Sequence, residues 1–233
     1  PPVYQSDNER WIVPKVQVKE GVYRAASLNS YTSKCTIVHD LMDMQAMKCP
    51  KGTYILGAFP DEIYRIADKE SSQQIGANEV INLGFDGSGV TVAVLDTGVD
   101  TDHPEIADSI IGGKNYIEGV DSFEDDHGHG THMAGIITAN GINPDAIGVA
   151  PGAKVWVAKV CNADGWCFAS DVVAAIEDVM NNNIAKIFSM SFAINSVRED
   201  EPDCDIEGFV VPPKVNWAVA NGATVVAAAG NTN

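Results

Sequence analysis

The sequence predicts an α/β fold: a parallel sheet flanked by helices. Three observations carry this. From about residue 71, strand-like and helix-like segments alternate, and such alternation builds a parallel sheet. Val90-Thr91-Val92-Ala93-Val94-Leu95 is an almost unbroken apolar run, as expected of a strand buried on both faces. Hydrophobic residues make up 45% of the 233, which fills a packed core and excludes disorder of the whole chain.

Residues 1–70 lack that alternation. Segment 11–18 alternates weakly, like a strand; 38–47 reads as a short helix; 54–56 and 62–66 read as strands. A small α+β segment is therefore expected ahead of the main sheet. The length suits one domain plus a smaller one, at roughly 150 residues per domain. The boundary is placed between residues 70 and 71.

Beyond it, 73–83 reads as a helix and Gly84 to Gly89 as a Gly-rich turn. The strand over 90–95 ends at Asp96-Thr97-Gly98. A helix follows His129 and runs to 139. Residues 155–160 form the next strand. Residues 170–181 form a helix with Ser170 as its cap and Val172, Val173, Ile176 and Val179 on one face. A strand is expected over 185–189, a helix over 215–221 closed by Gly222, and a strand over 223–229. In parallel sheets, active residues gather beyond the carboxyl ends of strands. Asp96 and Gly230-Asn231 occupy such ends.

Charge narrows the partners. Lys and Arg number 15 against 32 Asp and Glu, a formal charge of −17. Phosphate binding needs clustered cations, so nucleic acid is not expected. No apolar run is long enough for a membrane span. The opening Pro1-Pro2-Val3-Tyr4 reads as the start of a processed product. Cys35/Cys49 and Cys161/Cys167 are close enough in sequence to pair, which would suit an oxidising compartment; buried thiols are the alternative. Cys204 is left over.

Asp96, the His-rich turn over 127–132 and Asn231 supply the elements of nucleophilic catalysis. An Asp orients a His, the His takes a proton from a nucleophile, and an amide donates to an oxyanion. His127, His129 and His132 also offer imidazoles to a metal, with Asp125 and Asp126 beside them. HExxH is absent, however, and a Gly-rich turn is a loose zinc scaffold.

The wording of these segments is specific. Val92-Ala93-Val94-Leu95-Asp96-Thr97-Gly98-Val99-Asp100 resembles the Asp motif of subtilisin-like serine proteases. His129-Gly130-Thr131-His132-Met133-Ala134-Gly135 resembles their His motif, and Val225 to Asn231 their oxyanion strand. Gly148 to Ala153 and Ser189-Met190-Ser191-Phe192 also match, in the family's order. The resemblance covers about two thirds of the chain.

It implies a peptide-cleaving hydrolase of subtilisin-like fold. Asp96 would orient and stabilise the imidazolium of His129. His129 would act as general base and then general acid, and Asn231 would donate to the oxyanion. Losing such a donor costs ~3–4 kcal/mol of barrier. Lys159, Cys161, Ala163 and Gly165 would lie along one side of a bound polypeptide, and Ser191, Phe192, Ala193 and Gly230 along the other. The peptide would add as a strand. Ala193 stands where the family usually has Gly. A Cys161–Cys167 disulfide would stiffen the first of these segments.

The resemblance also implies a structural calcium ion, on Glu105, Asn140, Ile142 and Asp145, although Pro144 departs from the pattern. Residues 1–70 occupy the place of an inhibitory propeptide, with possible contact in cis, and Tyr64 to Glu70 loosely resembles its end. No Ser of this chain matches the family's nucleophile motif. The nucleophile is expected on a Ser-bearing C-terminal portion or companion chain; the alternative is a non-catalytic scaffold or binding protein. A secreted or lumenal location is implied.

Two acidic runs frame these motifs. The run 118–126 would raise the pKa of His129. The run 199–207 reads as a solvated loop, or as a cleft border favouring basic substrates.

Overall fold

The computed structural model describes residues 8–19, 22–25, 35–41, 44–53, 55, 57–61, 63–66, 75–119, 121–143, 146–194 and 209–230. They fall into two compact units, 8–61 and the described residues from 63 onward.

The first unit is an antiparallel sheet. Its strands are β1 (Asn8–Lys19), β2 (Val22–Ala25), β3 (Thr36–Asp40), β4 (Met44–Pro50) and β5 (Phe59–Pro60). The order is β2-β1-β4-β3, with β5 pairing β1. The helix expected over 38–47 is instead the β3–β4 hairpin, in which Ile37 pairs with Met47 and Asp40 with Gln45. Met44, Ala46, Met47 and Cys49 are buried there, so short-range apolar spacing yielded to cross-strand packing. Val13, Met47, Cys49 and Ile55 form the core, and Cys35 is disulfide-bonded to Cys49. A buried ion pair joins Arg10 Nε to Asp61 Oδ2 at 2.9 Å.

The second unit opens with β6 (Ile63–Ile66) and α1 (Ala77–Asn82), shorter than the helix expected over 73–83. Next come β7 (Thr91–Asp96), β8 (Ile110–Asn115), α2 (His129–Thr138), β9 (Lys154–Lys159) and β10 (Trp166–Phe168). The chain continues through α3 (Ala169–Asn181), β11 (Ile187–Met190), β12 (Phe192–Ile194), α4 (Val211–Ala220) and β13 (Thr224–Ala227). Five strands form one parallel sheet in the order β13-β11-β7-β9-β8, as the alternation predicts. A second sheet, β10-β6-β12, is antiparallel.

Two expectations shift. Ser170 is not the cap of α3: the helix starts at Ala169, and Ser170 lies buried in its first turn. Helix α4 starts at Val211, four residues before the expected 215, because Pro212 and Pro213 suit a first helical turn.

Alternation along β7 splits its side chains between two faces. Val92 and Val94 pack with Met133 and Ala134 of α2 and with Val155 and Val157 of β9. In α3, Val172, Val173, Ile176 and Val179 are all fully buried. The register sets Asp96 beside Lys159 and Leu95 beside Met190, and Met190 beside Ala227. The carboxyl ends of β7, β9, β11 and β13 thus line one side of the sheet.

Candidate active site

The site starts at the carboxyl end of β7. Asp96 and His129 are both buried, and His129 Nδ1 lies 2.8 Å from Asp96 Oδ1. The backbone N–H of Thr97 donates to the same oxygen at 2.7 Å. Two predicted catalytic residues, 33 positions apart in sequence, are therefore paired.

Their approach depends on Gly130. A Cβ there would stand 2.0 Å from the carbonyl oxygen of Gly98 and 3.1 Å from Asp96 Cβ. Only a residue without a side chain lets the start of α2 come this close to the end of β7. Gly98 has φ +106, and a Cβ there would meet the carbonyls of Phe123 and Glu124.

Asp125 organises the turn leading into α2. Its Oδ1 accepts from Thr97 Oγ1 at 2.8 Å, His127 N at 3.0 Å and Gly128 N at 2.9 Å. Its Oδ2 accepts from Thr131 N at 2.9 Å and Thr131 Oγ1 at 2.6 Å. Thr97 Oγ1 in turn accepts from Gly130 N at 2.9 Å. Burial pushes the Asp125 carboxyl up, but the bonds from Thr131, Gly128 and His127 outweigh it and hold it below the usual carboxylate range. Sequence reading placed Asp125 in an acidic run and missed this role. The usable signal was an Asp just ahead of a helix start, where its oxygens meet unpaired N–H groups.

Lys159 is 1% exposed. Its ammonium donates to the carbonyl of Thr97 and, at 2.6 Å, to Asp126 Oδ1. Its side chain is thus engaged in the turn beside Asp96, and its backbone carbonyl accepts from Tyr116 N at 2.9 Å.

The other expected binding residues border the β10-β6-β12 sheet. Cys161 and Cys167 are disulfide-bonded and fully buried, so the thiol alternative falls away for this pair. Ala163 is exposed at the tip of their loop, and Gly165 is buried with φ +75. Phe192 and Ala193 lie in β12, and half-buried Ser191 precedes them. A Cβ on Gly230 would lie 3.8 Å from Ala193 Cβ, so these two predicted residues are neighbours. β6 lies between the two flanks. Tyr64 pairs with both Cys167 and Ile194, and Arg65 with both Trp166 and Ala193. Asn231, Cys204 and the run 199–207 lie outside the described residues.

Among the described residues, the arrangement around Glu105 presents N–H groups to the carboxylate rather than the oxygens of a calcium cage. Glu105 Oε2 accepts from Gly141 N at 3.0 Å and Ile142 N at 3.1 Å, and Oε1 from Asn143 N at 2.5 Å. The loop offers this carboxylate N–H groups, whereas a hard cation needs converging oxygens. Asn140 Oδ1 is itself bonded to Ile142 N, and Ile142 is an exposed apolar residue. Asp145 lies outside the described residues. Among the described residues, no group of three or more His, Cys, Asp or Glu is placed to hold a metal ion. No described helix is long and apolar enough to cross a membrane.

Comparison with known proteins agrees with this geometry. The profile of the Subtilase family matches residues 87–233. Subtilisin BL of Lederbergia lenta is 40% identical over 151 residues, covering 65% of this chain and 51% of that protein. The Major intracellular serine protease of Bacillus subtilis (strain 168) is 37% identical over 167 residues, 70% of this chain and 49% of that protein. The chain spans about half the length of the curated relatives it matches. A family match across most of the chain, carried by a parallel sheet that pairs Asp96 with His129, establishes that this chain belongs to the Subtilase family.

Proposed function

We propose that this chain carries the Asp/His half of a serine endopeptidase that cleaves polypeptides through an acyl-enzyme. The observation that carries the reading is the buried 2.8 Å contact between Asp96 and His129 at the carboxyl edge of the sheet. With Nδ1–H donated to Asp96, the other ring nitrogen of His129 is the one left to take the proton of a serine. That serine belongs to a C-terminal portion or companion chain. Strand β13 supports such a partner: it is an edge of the sheet, and Val226 is 59% exposed, which suits cover by further chain. Asn231, just beyond β13, supplies the oxyanion donor.

The peptide binds as a strand between β10 and β12. Backbone pairing of β6 on both sides supports this reading, since β6 is itself an extended segment between the same two strands. β6 then acts as the end of a propeptide formed by residues 1–70 and blocks the slot in cis. The two disulfides favour a secreted or lumenal site. One relative, however, is intracellular by name.

The test is fluorophosphonate labelling of the full-length protein before and after removal of residues 1–70, followed by peptide mapping. Label on a single serine outside these 233 residues, lost on His129→Ala, is the expected outcome. A full-length product that takes no label even after removal of residues 1–70 would point to the scaffold reading.

A further inference from the structure

The Cys161–Cys167 disulfide sits where two separate structures meet. On one side is the strand end that carries Asp96. The Asp96 carbonyl accepts from Val160 N at 2.9 Å and from Cys161 N at 3.0 Å. On the other side is β10, whose middle residue is Cys167 and whose partner in the sheet is β6. β10 has three residues and is an edge strand. At its far end β10 runs directly into α3, which starts at Ala169.

What ties β10 back to the catalytic strand is a small closed loop. Cys161 and Cys167 face each other as an isolated antiparallel bridge and are covalently joined. Asn162 N donates to Trp166 O at 2.9 Å, and Asn162 Oδ1 accepts from Trp166 N at 2.9 Å. Only the tip is wet, at Ala163 and Asp164.

We propose that this disulfide is a specificity-determining element: it fixes one wall of the peptide slot against the Asp96 strand, so that long peptides are preferred over short ones. The inference rests on the protease reading and assigns a substrate class to it. A wall held in place before the peptide arrives loses little freedom on binding, and the gain grows with the number of residues that pair with it. A substrate too short to reach β10 gains nothing. Asp96 keeps its two backbone donors without the disulfide, because they come from Val160 and Cys161 themselves. Removing the bond therefore loosens the wall and leaves the Asp96–His129 pair in place.

The test compares the full-length protein, freed of residues 1–70 so that the slot is open, with its Cys161→Ala/Cys167→Ala variant treated in the same way. The probes are p-nitroanilides preceded by four residues and by one. The expected result is a fall of about tenfold in kcat/KM for the four-residue probe, carried by KM, and less than about twofold for the one-residue probe. Equal losses on both probes, or none on either, would overturn the proposal. Amide hydrogen exchange gives a readout that needs no activity. In the variant, exchange over 163–168 should rise by about a hundredfold while 92–95 stay protected. Unchanged protection over 163–168 would overturn the inference even in a protein that cleaves nothing. If wild-type protein freed of residues 1–70 is inactive and unlabelled by fluorophosphonate but the exchange result holds, the protease reading fails and the wall remains. Should the alanine variant not fold, Cys161→Val/Cys167→Val refills the buried volume and supports the same comparison.

Discussion

Helix α2 is held by a carboxylate at each end. Where the chain enters it, Asp125 collects N–H groups from His127, Gly128 and Thr131 and hydroxyls from Thr97 and Thr131. Where the chain leaves it, Glu105 collects N–H groups from Gly141, Ile142 and Asn143. The two devices share their chemistry: an anion satisfies amides that a turn leaves unpaired. They differ in what lies next along the chain of contacts. Asp125 is one bond from Thr97 and two from Gly130, and so sets where His129 meets Asp96. Glu105 leads only to the loop after residue 139. The first should govern catalysis as well as stability, and the second stability alone.

The largest effect marks the functional end. In full-length protein, Asp96→Asn should lower kcat by about 10⁴, because an amide cannot hold the imidazole in the required tautomer. Steady-state kinetics with near-native circular dichroism would check this, and a loss under tenfold would remove Asp96 from the triad.

Asp125→Asn comes next. It replaces a charged acceptor by an amide whose NH2 faces other donors, and should cost about 2–3 kcal/mol of stability. It should also cost ten- to about a hundredfold in kcat through misplacement of His129. Its pH dependence has a definite sign. The folded carboxyl titrates below its ordinary 3.8. Its contribution is therefore complete above that value and is lost as pH falls through the depressed folded value. The gap in stability between wild type and variant should be constant near neutrality and close in strong acid. A gap that widens on acidification would contradict the arrangement.

The smallest effects belong to the other end. Glu105→Gln should cost about 1–2 kcal/mol in denaturant titration and leave kcat within about twofold. A chelator should move the melting temperature by less than about 2 °C, since amides rather than a cation satisfy Glu105. Chelator-sensitive stability restored by calcium would overturn this account and return Glu105 to the ligand set that the family resemblance implies. A loss of kcat in Glu105→Gln would erase the contrast between the two ends.

These cases show which features were legible in the sequence. The parallel sheet was, because the apolar run 90–95 and the alternation after residue 71 reflect burial along the chain itself. Asp96 and His129 were, because their motifs are local strings. The helix expected over 38–47 failed because Met44, Ala46, Met47 and Cys49 were read along the chain, whereas they pack across a hairpin. Asp125 was visible as part of an acidic run, but the bonds it collects from the turn were not.

The sequence by itself determined the sheet, the order of its elements, the Asp96 and His129 motifs and the family. Each of these rests on residues close together in the chain. Tertiary structure alone decided that β6 lies between β10 and β12, that Lys159 turns its ammonium into the Thr97–Asp126 turn, and that Glu105 meets three amides. The physical reason is common to all three. A charge or a strand edge can be satisfied by many partners, and which one satisfies it is settled by the fold that brings distant segments within hydrogen-bonding distance.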